Sequence, residues 1–117
     1  MQLEMQVQET NGHLSIKAAG PYSLADLRDL FDRVKAESET RADRGVVLDV
    51  TEVAGAIPVM DMHVLGEHCS RVWKLQFRIA IVAQEDGLNK FFENVASNRG
   101  VQIAVVSNRD AASEWLE

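Results

Sequence analysis

Two short segments near the start of the chain alternate strictly between apolar and polar positions. In "LEMQVQ", Leu3, Met5 and Val7 fall on one side and Glu4, Gln6 and Gln8 on the other. "HLSIKA" does the same with Leu14, Ile16 and Ala18. A period of two predicts half-buried strands. The Asn11-Gly12 pair between them is a strong hairpin signal, because both residues tolerate positive φ. In "GPYSLADLRDLFDRVKAESE" the period changes. Leu24, Leu27, Leu30, Phe31 and Val34 recur at helical spacing, Asp29, Asp32, Arg33 and Lys35 fill the other face, and Ser23 with Asp26 approximates a capping box.

"GVVLDV", "FRIAIVA" and "VQIAVV" are apolar nearly throughout. Such runs predict strands covered on both faces, as in parallel sheets flanked by helices. Between and after them the helical period returns. Residues 58–73 place Met62, Leu65, Cys69 and Val72 on one stripe behind Pro58, which suits a first helical turn. Residues 86–98 carry Leu88, Phe91, Phe92 and Val95. Residues 108–116 carry Ala112, Trp115 and Leu116 behind a capping Asn108. The expected order is a β-hairpin, then α, β, α, β, α, β, α. Strand–helix–strand alternation implies right-handed crossovers and a mostly parallel sheet, with the first strand antiparallel.

Composition narrows the function classes. The length of 117 residues suits one domain over 1–117, and the apolar and charged fractions of 46% and 26% are those of an ordinary globular protein. A net charge of −6 with no basic cluster argues against binding nucleic acid or an anionic membrane. A single cysteine, Cys69, permits no internal disulfide. The first residues lack the signature of a signal peptide, and no apolar run approaches the roughly 20 residues of a membrane helix, so a cytoplasmic protein is expected.

Catalytic and metal-binding constellations are weak. His63, Glu67 and His68 are metal-ligand types, but on a helix His68 points about 140° away from His63, so solvated polar residues are expected there and no metal. Cys69 lies on the apolar stripe and reads as a small core residue. There is no Gly-rich phosphate loop and no Ser–His–Asp set, so neither an enzyme nor a cofactor is expected. Phe91 and Phe92, about 100° apart on a helix, cannot both face the sheet. Trp73 and one of these phenylalanines are candidates for a subunit contact, with core packing the alternative.

Together, "GVVLDVTEV", "FRIAIVA", the closing "NRDAASEWL" and the element order resemble the STAS domain, in particular the SpoIIAA-like (STAS/SEC14-type) single-domain family. The resemblance implies an α/β fold with a mixed, mostly parallel five-stranded sheet, an N-terminal β-hairpin and four helices. It also implies a regulatory function like that of anti-sigma factor antagonists. Phosphorylation-switched antagonists carry a phosphoserine where the third strand gives way to the next helix. Here "LDVTEV" fits the first half of that region, but residues 52–60 contain no Ser or Thr, and the phosphoacceptor role cannot be carried over.

The expected function is therefore a non-catalytic module acting by protein–protein contact. The candidate surface is Asp49, Thr51, Gly55, Ala56, Ile57 and Pro58, at the strand exit and an exposed loop, with a homodimer as the expected assembly. Asp49 has two readings: its carboxylate accepts N–H groups of the chain just after it, or it contacts a ligand or partner at the crevice outside the strand ends. The SEC14-type likeness implies an alternative, a carrier of a lipid or other small apolar molecule lodged between helices and sheet. A carrier needs a continuous apolar cavity of roughly 300 Å³ or more, whereas a binding module needs a filled core.

Overall fold

The structure, a computed structural model, describes residues 2–10, 12–40, 45–73 and 77–117. Asn11 of the expected hairpin turn lies outside them. The flanking strands β1 (Glu4–Thr10) and β2 (His13–Pro21) pair antiparallel from Glu4↔Ala19 to Thr10↔His13. Helix α1 (Leu24–Glu39) starts where the sequence places it, with the Ser23 hydroxyl accepting from the Asp26 N–H. Then follow β3 (Gly45–Ala54), α2 (Val59–Trp73), β4 (Arg78–Val82), α3 (Lys90–Ser97), β5 (Gln102–Val106) and α4 (Arg109–Leu116).

The sheet order is β1-β2-β3-β4-β5, and every pair after the first is parallel. Because the strands advance in one direction, right-handed crossovers must set α1, α2 and α3 on the same face. Their apolar stripes meet Ile16, Leu48, Ile79 and Ile81 in one core. Within that layer Phe31 lies 4.5 Å from Trp73 and 5.9 Å from Phe92, centroid to centroid, and all three are fully buried. Trp73 spends its one polar atom inward, donating to the Phe31 carbonyl at 3.0 Å. Both candidates for an exposed aromatic at a helix end, Trp73 and Phe91, are thereby resolved: Trp73 is core and Phe91 is exposed. Gly66 lets α2 press against α3, since a Cβ there would stand 2.5 Å from Val95 Cγ1.

Among the described residues, the opposite face carries α4 alone, over Val47, Ala80 and Val82. Eight residues form a marginal helix unaided, and α4 is pinned at both ends. Arg78 of β4 donates to the carbonyls of Trp115 (2.8 Å) and Leu116 (3.3 Å), placing a cation at the helix C-terminus. Its guanidinium also lies 4.6 Å from the centre of the Trp115 ring. Trp115 and Leu116 are consequently half-buried rather than core.

Two boundaries differ from the hydropathy pattern. α3 begins at Lys90 rather than 86, because Gly87 closes a turn onto the Gln84 carbonyl and Asn89 then caps the helix, its side chain accepting from Phe91 and Phe92. β3 runs on to Ala54, past the apolar stretch, because its end pairs with Gly20 and Pro21 of β2. The two ends of the sheet also differ. At β5 the Val105 N–H donates to Glu93 Oε1 (2.7 Å) and the Val105 carbonyl accepts from Lys90 Nζ (3.0 Å), both from α3.

Candidate functional site

The register between β2 and β3 slips once. Lys17 faces Asp49 and Ala19 faces Glu52, so one residue of β2 opposes two of β3, Val50 and Thr51. Such a bulge leaves backbone groups without ladder partners. Both polar groups of Thr51 are met by side chains instead. Its N–H donates to Asp49 Oδ1 at 2.9 Å, and its carbonyl accepts from Gln84 Nε2 at 2.6 Å. The Thr51 hydroxyl also donates to Asp49 Oδ1, at 2.7 Å.

The second Asp49 oxygen faces α4. Arg109, the first residue of that helix, donates to Oδ2 from Nε at 3.2 Å and to the Ser15 hydroxyl from Nη1 at 3.1 Å. Burial alone would raise the Asp49 pKa. The Thr51 hydroxyl and N–H, and then the Arg109 charge, outweigh it and hold the carboxyl below the usual carboxylate range. The first reading of Asp49 therefore describes its geometry: the carboxylate organises the chain two residues on, and its acceptor capacity is spent within the fold.

Beyond the bulge the chain leaves the sheet at Gly55, whose φ of 108° favours glycine. Tyr22 flanks this exit. Its N–H donates to the Ala54 carbonyl at 2.8 Å and its hydroxyl to Asp61 Oδ2, in the first turn of α2, at 2.7 Å. Burial, then the bond to Asp61 and its negative charge, raise the Tyr22 phenol above its ordinary value.

The six candidate residues do not share one surface. Asp49 and Thr51 belong to the network under α4. Gly55, Ala56 and Pro58 are exposed around the start of α2. Ile57, expected on an exposed loop, is 8% exposed and packs into the core; its N–H donates to the Asp86 carbonyl at 3.3 Å. An isoleucine flanked by Ala and Pro is the sole large apolar side chain available to seal the loop against the sheet end, and burying it is favourable.

The loop instead exposes the residues after it: Val59 is 62% and Met60 81% exposed. With Phe91 in the first turn of α3, they are the large apolar side chains in solvent among the described residues. Val59 and Met60 were visible in sequence as an apolar pair, but their orientation was not. Arg109, Ser15 and Gln84 carry no sequence signal linking them to Asp49; the topology alone brings them there.

The possible metal ligands diverge. His63 Nε2 lies 3.2 Å from Glu67 Oε1, whereas His68 Nε2 turns to Asp32 of α1 at 2.8 Å. No group of three or more His, Cys, Asp or Glu placed to hold a metal occurs among the described residues. Cys69 is fully buried, and burial pushes its thiol up to about 12. Among the same residues, no helix is long and apolar enough to cross a membrane.

Comparison with solved structures agrees with this architecture. The chain is similar to an anti-sigma factor antagonist from Mycobacterium paratuberculosis, with TM-score 0.64 and 14% identity over 97% of this chain and 93% of that one. It is similar to an uncharacterized protein with a SpoIIAA-like fold from Shewanella loihica, with TM-score 0.55 and 21% identity over 98% and 93%. It is also similar to the unphosphorylated form of the anti-sigma factor antagonist SpoIIAA, with TM-score 0.51 and 10% identity over 95% of each chain. No protein-family model matches the chain, and no curated protein matches it. The fold is SpoIIAA-like.

Proposed function

We propose that this chain is a non-catalytic regulatory module that binds a protein partner through the loop after β3 and the first turn of α2. The exposure of Val59 and Met60 there carries the reading. Two adjacent apolar side chains in solvent, beside the small exposed residues Gly55, Ala56 and Pro58, make a surface that gains by being covered. A methionine adapts to an irregular partner surface. The likeness to anti-sigma factor antagonists, proteins named for acting on other regulators, supports the same class.

The module works by contact and without a phosphorylation switch at this position. Residues 52–60 offer no hydroxyl, and Thr51 is half-buried with its hydroxyl engaged by Asp49. The packing of Phe31, Trp73 and Phe92 between α1–α3 and the sheet supports this reading over the carrier of a small apolar molecule, since the apolar hollow of about 640 Å³ lined by Ala83, Leu88, Val105 and Val106 lies open at the end of the sheet and not between helices and sheet.

Met60→Arg is the test, because the exposed side chain can change without disturbing the core. Quantitative pull-downs from the native host should show a partner retained by the wild type and lost by the variant, at an unchanged melting temperature. If every partner is captured equally by both, or intact-mass analysis finds phosphate on Thr51, the reading falls.

A further inference from the structure

The sheet has one stoppered edge and one open edge, and we infer that the open edge, β1, pairs antiparallel with β1 of a second copy of this chain. The inference is independent of the partner surface at α2. Along the C-terminal half of β5, Glu93 and Lys90 occupy both backbone groups of Val105, so an incoming strand finds neither donor nor acceptor. β1 is the other end of the sheet. Its seven residues, EMQVQET, keep an unbroken register with β2 and include no Lys, Arg or Pro, the residues that commonly blunt an edge.

The geometry favours one register. Thr10 and His13 pair across residues 11 and 12, and the closing pair of a two-residue hairpin exchanges both backbone hydrogen bonds. Counting back by twos, Gln8, Gln6 and Glu4 direct their backbone groups at β2, while those of Met5 and Val7 face outward. A two-fold axis through Val7 sets Val7 against its own copy as a hydrogen-bonded pair and aligns all seven residues. Gln6 then faces Gln8 of the other copy on the exposed side of the sheet, a neutral pair in which each amide can donate and accept. Glu4 falls opposite Thr10 and Glu9 opposite Met5, so no carboxylate opposes another. An axis through Glu9 would instead set Glu9 against its own copy, two like charges directly opposed. On the helix side, the half-buried Met5 and Val7 of each copy would cover one another.

The Gln6–Gln8 pairing supplies the test, because both side chains are exposed and can be replaced without touching the core. Sedimentation equilibrium of the full-length chain should show reversible association to twice the chain mass. Gln6→Lys with Gln8→Lys should weaken it at least tenfold, by opposing two lysines at each of two symmetric positions. That variant adds two positive charges to a chain of net charge −6, so relief of overall repulsion would act in the opposite direction. Gln6→Lys with Gln8→Glu places each new lysine against the new glutamate of the other copy and should restore dimerisation. A wild type that stays monomeric, a double-lysine variant that dimerises as well as wild type, or a lysine–glutamate variant no better than the double lysine would overturn the inference.

Discussion

The Asp49 carboxylate and the Arg109 guanidinium, sixty positions apart in the chain, meet beneath α4 with Nε and Nη2 each 3.2 Å from Oδ2. The contact joins the β3 bulge to the first turn of a helix too short to persist alone. It connects the register shift between β2 and β3 to the helix that, among the described residues, stands alone on that face.

Its acid limb follows from the sign of the shift. The Asp49 carboxyl is held below its ordinary value, about 3.9, so the folded state keeps it ionised where the unfolded chain takes up a proton. The stability this contributes is fully present above the ordinary value and is lost as pH falls through the folded one. Asp49→Asn should be less stable than wild type near pH 7 and lose less on acidification from about pH 5 to about pH 2. Urea melts across that range check it, and parallel acid limbs would refute it. Arg109→Ala should cost only about 1 kcal/mol, because the arginine is half-exposed and solvent screens the pair.

Gly66→Ala should destabilise the fold although alanine favours helix. The new Cβ would stand 2.5 Å from Cγ1 and 2.7 Å from Cβ of Val95, and a Cβ cannot rotate away. Overpacking of this kind costs about 1–3 kcal/mol, against a gain of about 1 kcal/mol in helix propensity. Denaturant melts should show a net loss, and adding Val95→Ala should recover part of it. A Gly66→Ala variant more stable than wild type would mean that α2 and α3 stand further apart.

Tyr22 is the only tyrosine, so its ionisation can be followed by ultraviolet absorbance without interference from another phenol. It should resist ionisation until well above its ordinary value near 10. Because the folded value is raised, the contribution to stability is complete below about pH 10 and is lost as pH rises through the folded value. Tyr22→Phe should remove this alkaline loss at a cost of about 1 kcal/mol near neutrality. A phenol titrating at its ordinary value would show that the bond to Asp61 does not hold in solution.

Periodicity revealed most of the fold, because each strand and helix buries one face or two and leaves that mark in the order of residues. Ser23 and Asn108 mark two helix starts by their capping chemistry. The hydropathy pattern placed α3 four residues early because Leu88 is buried in a turn, where it carries the same apolar signal as a helical residue. The candidate site was less legible. Asp49 and Thr51 stood out as polar residues in an apolar strand, yet the bulge that explains them depends on register with β2. Ile57 looked exposed because nothing local shows that its loop folds back over the end of the sheet. Arg109 and Gln84 reach Thr51 or Asp49 through tertiary placement alone.

Glu93 and Lys90, by occupying Val105, decide how many copies a strand-to-strand assembly of this chain can hold. A sheet open along one side only has a valence of one. When two such edges meet, each consumes the other, and no open edge remains to recruit a third chain. An assembly formed in this way would close on a two-fold axis, and raising the concentration would not lengthen it into a filament. A lysine and a glutamate on a helix thus act as a chain terminator for the sheet beside them.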